Sequence, residues 1–262
     1  MGMPDAGREA DAGREADAGR EADAGRPVDV MAFGPHPDDI ELGCGGTLIK
    51  LAGLGRTSVL VDLTRGEMGT RGTIETRAEE AAAAAKVLGA KARENLGLPD
   101  GAIRATEEAK RKVVEVVRAY RPTMAFVPYY QDRHPDHYHA SELIYEGLFA
   151  AGLARYETGQ ESHRPSKVLY YMRWQEFEPT FIVDISAQFE RKMEAIWAYA
   201  SQFKPDDASY EQTRLTTPAY HWKLVHRMAY YGSLIQRQYG EGFLIRGRLE
   251  MDDPLEARFL SF

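Results

Sequence analysis

Cysteine is almost absent: Cys44 is the only one in 262 residues, which excludes an internal disulfide and fits a reducing cytoplasm. Positive charge is scarce and scattered. The 33 lysines and arginines are outnumbered by 40 aspartates and glutamates, for a formal charge of -7. No basic stripe of the kind that neutralises a phosphate backbone occurs, so a nucleic-acid partner is excluded. Long apolar runs are missing as well. None approaches the ~18 residues needed to cross a bilayer, and the first residues carry no hydrophobic signal core. The expectation is a cytoplasmic chain with no membrane partner.

What is present falls into two parts. Asp5 to Arg26 is a DAGREA repeat in four near-identical copies. A six-residue period is far below that of packed repeat folds, and the unit has no large apolar residue to bury. Residues 1–26 therefore read as a low-complexity, solvated tail. From Pro27 onward, within an overall composition of 44% hydrophobic and 28% charged residues, the texture is that of one globular domain, 27–262.

Within that domain, continuous apolar runs recur at VDVMAF, TSVLVDLT and TMAFVP, the pattern of strands covered on both faces. Between them lie helical patterns at TLIKLAGLG, at Ile74 to Gly89 and at Glu107 to Pro122. KVLYYM and TFIVDI read as further strands, and two long helices are expected near Ala187 to Phe203 and Pro218 to Tyr239. Strand then helix, repeated, predicts an α/β fold: a Rossmann-like, mainly parallel sheet flanked by helices, with right-handed crossovers and the active site at the C-terminal ends of the strands. A dinucleotide site is not expected. The fingerprint glycines must open the helix directly, whereas Gly43-Cys44-Gly45-Gly46 follow only after an HPDDIEL insertion.

Two polar clusters stand where such a sheet binds ligands. HPDD follows the first strand with His36, Asp38 and Asp39, and YYQDRHPDHYH follows TMAFVP with His134, Asp136, His137 and His139. Charged groups resist burial unless paired or bound to metal. His36 and Asp39, joined by one or more of the later histidines, would make a two-histidine, one-carboxylate site. Such a set leaves an open position on zinc, and it suits ferrous iron as well. Taken singly, each residue also has a plain reading, with Asp38 as a helix N-cap and Asp39 as an acid favoured by a helix N-terminus.

HPDD and HPDH, in that order and each behind an apolar strand, resemble the LmbE-like (PIG-L) superfamily of zinc-dependent N-acetylglucosaminyl deacetylases. LTRGEMGTRGTIETRAEE, YYQDRHPDH and AYASQF are similar to the branch that holds the bacillithiol-biosynthesis deacetylases. The resemblance spans about Val28 to Phe243. It implies that His36, Asp39 and His137 hold the metal, with Zn2+ first and Fe2+ or another divalent ion as substitutes. It implies further that Asp38 is the general base toward water, that His134 stabilises the oxyanion and protonates the leaving amine, and that Asp136 orients His134. Arg77 resembles an arginine directed into the site, its plain reading being a solvated helix arginine paired with Glu75 or Glu80. Tyr220 matches a tyrosine of the substrate pocket, its plain reading being a core aromatic. Arg133 would organise the carboxylates, Glu41 and Gly46 would contact sugar or water, and Arg164 would reach a neighbouring subunit. His139 is expected to be a solvent or supporting group. The implied substrate is a small-molecule N-acetyl sugar, N-acetylglucosaminyl L-malate first, with chitobiose or a thiol conjugate as alternatives. The implied assembly is a homotrimer or homohexamer. A noncatalytic sugar-binding protein is the reading from outside the enzyme class.

Overall fold

In a computed structural model, residues 27–205 and 209–258 are described; the DAGREA segment lies outside them. The described residues form one seven-stranded sheet in the order β3-β2-β1-β4-β5-β7-β6. Its strands are β1 (Val30–Gly34), β2 (Ser58–Thr64), β3 (Ala92–Leu98), β4 (Met124–Pro128), β5 (Lys167–Tyr171), β6 (Phe181–Asp184) and β7 (Gly240–Leu244). The helices are α1 (Asp39–Gly53), α2 (Ile74–Leu88), α3 (Glu107–Tyr120), α4 (Pro135–Ala151), α5 (Phe189–Trp197), α6 (Ala200–Phe203) and α7 (Pro218–Leu234). The first five strands pair in parallel, and β7 runs antiparallel to both β5 and β6.

The apolar runs are explained by burial on both faces. Met31 and Phe33 enter one core with Val59, Val61 and Val127, while Val30 and Ala32 enter another with Leu60 and Phe126. Alternating side chains thus meet different helix layers, and no polar face is left to show a period of two.

Several elements differ from the sequence reading. β3 was not expected, because ARENLGL is an edge strand and its polar residues interrupt the apolar signal. β7 carries two glycines and is identified only by pairing with β5 and β6. α1 starts at Asp39 and not at Thr47, so the HPDD motif runs directly into it. α4 begins inside the HPDH motif itself. The expected helix 187–203 is broken at Tyr199, whose φ of -82° and ψ of 62° are not helical. α7 ends at Leu234, five residues before Tyr239. Among the described residues no helix is long and apolar enough to cross a membrane.

Gly43 of α1 serves packing. A Cβ at Gly43 would lie 2.2 Å from the Tyr171 ring, whose hydroxyl donates to the Phe33 carbonyl at 2.6 Å. The helix therefore lies directly on the β5 aromatic, close to the end of β1. Gly43→Ala is expected to lower stability by about 1–3 kcal/mol through overpacking, measured as a drop in the urea midpoint at unchanged m-value.

Sheet order also decides where chemistry can occur. The chain moves from β1 outward to β2 and β3, then returns to lay β4 on the other side of β1, with Val30 opposite Met124 and Ala32 opposite Phe126. The crevice between diverging connections opens at this reversal. HPDD leaves β1 and HPDH follows β4, so both motifs enter the same crevice.

Candidate active site

Asp38 is the turning point of the first motif. It adopts φ 115° and ψ -25°, a left-handed conformation rare for a residue with a side chain, and its carboxylate makes no capping hydrogen bond. Asp38 thus holds the N-cap position, its carbonyl accepting the Leu42 N–H at 3.0 Å, but its side chain does not cap the helix. Backbone geometry instead sends Asp38 into the cavity while Asp39 begins the helix. In the second motif His134 is the N-cap of α4, its Nδ1 accepting the backbone N–H of Asp136 at 3.2 Å. Pro135 takes the first helical position, where its missing donor costs nothing. His137 then projects inward one turn from the helix start.

The two motifs meet on Asp39. Its Oδ2 lies 3.1 Å from His36 Nδ1 and 3.3 Å from His137 Nε2. One donor atom from each of these three residues falls within 4.8 Å of the others. A tetrahedral ion with bonds of about 2.0 Å separates its ligands by about 3.3 Å, so the donor spacing fits such an ion. His36, His134 and Asp136 form a second such group. Asp136, however, already accepts from Gly101 N at 2.7 Å and Ile103 N at 3.3 Å, and His134 Nδ1 is occupied by its cap.

Three carboxylates converge on His36: Asp39, Asp100 at 3.0 Å and Asp136 at 3.2 Å, the last two on Nε2. Burial opposes a charge on His36, but hydrogen bonds from Asp100, Asp136 and Asp39 outweigh it and raise its pKa well above the ordinary value. The surroundings thus favour positive charge at this point. Burial would also raise Asp39, yet the charges of His137 and Arg173 hold it well below the usual carboxylate range. Asp38 goes the other way. Burial, and then the neighbouring Asp39 charge, push it to about 7, against the pull of Arg77, Arg173 and His36. Adjacent carboxylates with separated affinities for protons can take separate roles. His134 is lowered by burial and by the His137 and His36 charges, so at neutral pH it is an uncharged ring. With Nδ1 accepting, its proton sits on Nε2.

His36, Asp38, Asp39, Arg77, His134 and His137 all line one cavity of about 250 Å³, together with Asp100, Arg173, Trp174, Gln202 and Leu215. Arg77 is buried, donates to the Pro37 carbonyl and stands 3.7 Å from Asp38 Oδ2. Gly66, at φ 71°, passes so close that a Cβ there would come within 3.1 Å of the Arg77 guanidinium carbon. The pairing of Arg77 with Glu75 or Glu80 does not form; Glu80 accepts from Ser201 instead.

Other expected residues are elsewhere. The Asp136 carboxylate does not touch the His134 ring; it holds the 101–103 backbone and His36. Glu41 is fully buried beneath the site, 2.5 Å from Arg93 and 3.2 Å from the Tyr199 hydroxyl. Gly46 donates its N–H to Glu241 at 2.9 Å on the far side of α1. Arg133 is exposed and stacks over Trp174 at 4.3 Å rather than reaching the carboxylates. Tyr220 packs among Trp174 and Phe203 behind the cavity wall, within the field of Arg173. Arg164 lies on Phe149 and donates to its carbonyl at 2.5 Å. His139 faces Glu142 at 3.9 Å, away from the cavity.

Three contributors were missed by sequence reasoning. Arg173, just past β5, donates from Nε to Asp39 Oδ1. Asp132 faces His137 Nδ1 at 3.5 Å and accepts the His134 and Trp174 backbone N–H groups. Asp100 comes from the turn after β3. Asp132 lies within the YYQDRHPDH segment, whereas for Arg173 and Asp100 the available signal was position alone, each following a strand at the sheet edge that carries the two motifs.

A family model described as GlcNAc-PI de-N-acetylase matches residues 31–148, which hold both motifs. The chain is 32% identical over 228 residues to a diacetylchitobiose deacetylase of Thermococcus kodakarensis, covering 81% of each chain. Among solved structures it resembles a conserved protein of Thermus thermophilus, with a TM-score of 0.80 and 35% identity over 88% of this chain and 99% of that one. It also resembles an N,N'-diacetylchitobiose deacetylase of Pyrococcus horikoshii complexed with its inhibitor MPG, with a TM-score of 0.73 and 27% identity over 93% and 94% of the two chains.

Proposed function

This chain belongs to the GlcNAc-PI de-N-acetylase family, PIG-L or LmbE-like, and on that premise we propose that it is a metal-dependent hydrolase that removes the acetyl group from an N-acetylglucosamine-type glycoside. N-acetylglucosaminyl L-malate is the substrate proposed first, with neutral sugars such as chitobiose second. The observation that carries the reading is the convergence of His36, Asp39 and His137 with Asp38 beside them on one cavity wall.

In this reading His36, Asp39 and His137 hold a divalent ion, zinc first, ferrous iron being compatible with the same donors. Such an ion supplies Lewis-acid polarisation of the acetamide carbonyl and lowers the pKa of water. The chain's own groups do the rest. Asp38, whose proton affinity is already lifted by burial, accepts the proton of the attacking water. His134 presents Nε2–H where negative charge develops on the carbonyl oxygen. Arg77 stays within 3.7 Å of Asp38 and keeps its carboxylate available as a base. Arg173 fixes the second oxygen of Asp39, leaving Oδ2 to face the two histidines. Breaking the C–N bond then yields acetate and the free amine, with a proton delivered to the nitrogen.

Elemental analysis and an acetate-release assay test this together. About one divalent ion per chain is expected. Chelation should abolish acetate release and lower Tm, because binding to the folded state alone contributes stability, and zinc should restore both. A purified chain that holds no ion and releases no acetate from any N-acetyl sugar would instead be a noncatalytic sugar-binding protein.

A further inference from the structure

Trp174 forms part of the cavity wall, held in place by its backbone N–H on Asp132 at 3.0 Å. Two exposed arginines converge on its indole. Arg133 stands 4.3 Å from the ring centroid and Arg214 5.3 Å; Leu215, the residue after Arg214, also lines the cavity. Among the described residues neither arginine makes an ion pair, although the chain as a whole carries a charge of -7. Lys223 lies in the same cluster. Burial lowers its pKa, and the charges of Arg227, Arg214 and Arg133 add to the effect against the pull of Glu176. Like charges are thus crowded at one place on an acidic protein.

We infer that Arg133 and Arg214, presented on Trp174, form an anion-reading rim that selects glycosides whose aglycone carries a carboxylate or phosphate. An indole beneath a guanidinium fixes its plane and leaves the N–H edge for two parallel bonds to an oxyanion. Bound anion relieves the mutual repulsion of the cluster. Arg77 is set apart from this rim: it is buried, with Nη2 donating to the Pro37 carbonyl and standing 3.7 Å from Asp38 Oδ2. The inference rests on the deacetylase reading only for where the sugar lies and which probes are apt.

Calorimetric titration of the zinc-loaded full chain, in an Asp38→Asn background that keeps substrate intact, tests it. N-acetylglucosaminyl L-malate and N-acetylglucosamine 1-phosphate are compared with neutral N,N'-diacetylchitobiose. At least one anionic probe should bind about tenfold or more tightly than the neutral one, and the better of the two identifies carboxylate or phosphate as the group read. Arg133→Gln or Arg214→Gln should each reduce that advantage about tenfold, and added salt should erode it at this exposed rim. Equal affinity for charged and neutral probes, or an advantage that both glutamine variants retain, overturns the rim. Acetate release by the native chain is scored separately. If no sugar is hydrolysed while the charge preference persists, the deacetylase reading fails and the rim stands; if acetate is released without charge preference, the reverse holds.

Discussion

Asp38→Asn is expected to reduce kcat for acetate release by a factor of about 10²–10⁴, the usual contribution of a positioned general base, while the metal content stays at the native level. Asparagine is chosen because it tolerates the left-handed backbone that Asp38 adopts at φ 115°. It preserves side-chain shape and removes only the ability to accept a proton at this pH. Undiminished turnover in the variant would remove Asp38 from the proposed role. Stability should move the other way. In the metal-free chain the Asp38 carboxyl is raised from 3.8 to about 7 by burial and by Asp39, so its ionised form is disfavoured in the fold. That penalty is absent below the ordinary carboxylate value of 3.8 and grows until the folded group is ionised above about pH 7. Relative to the native chain, the asparagine variant should gain Tm steadily between about pH 4 and 8. A constant difference across that range would show that Asp38 is not strained electrostatically.

Lys192→Met is expected to destabilise the fold by about 3–5 kcal/mol, the cost of leaving a buried carboxylate without its cation. Glu241 comes from β7 and accepts from Lys192 at 2.5 Å, from Gly46 N at 2.9 Å, and from Thr47 N and Oγ1 at 2.7 and 2.6 Å. Those N–H groups are free because α1 breaks at Cys44, with φ -141° and ψ 15°, so the carboxylate caps the second half of a kinked helix. Charge neutralisation separates the two contributions. The double variant Lys192→Met, Glu241→Gln should recover part of the loss, since no unpaired charge remains and one side-chain oxygen still accepts. Chemical denaturation at matched m-values measures both. A cost below about 1 kcal/mol for the single variant would mean that the pair is solvated in the folded protein.

The unequal fate of the site residues follows from helix and turn geometry. Asp38 and Asp39 are adjacent across a change of backbone conformation, so both reach the cavity. Glu41 is two residues further into α1, which rotates its side chain about 200° from Asp39 and carries it under the helix to Arg93. Nothing local distinguishes Glu41 from a site acid; only the direction of the helix does. Arg77 was picked out only by the resemblance of its segment to the deacetylase family; the fold sets it in the first turn of α2, buried and lining the cavity. Asp100 and Arg173 have no motif around them. Each is a single polar residue at the end of a strand, and the strand before Asp100 was itself hidden by its edge position.

By itself the sequence determined the parallel core and the presence of two polar tetrapeptides, each placed after an apolar run. Short-range periodicity and turn chemistry are enough for that, since they depend on neighbours within one element. Tertiary structure alone decided that β4 lies beside β1, that His137 therefore comes within 3.3 Å of Asp39, and that arginines distant in the chain crowd around Trp174. Those relations are set by strand order and by the directions in which side chains leave the sheet edge, quantities carried by long-range pairing and not by local pattern.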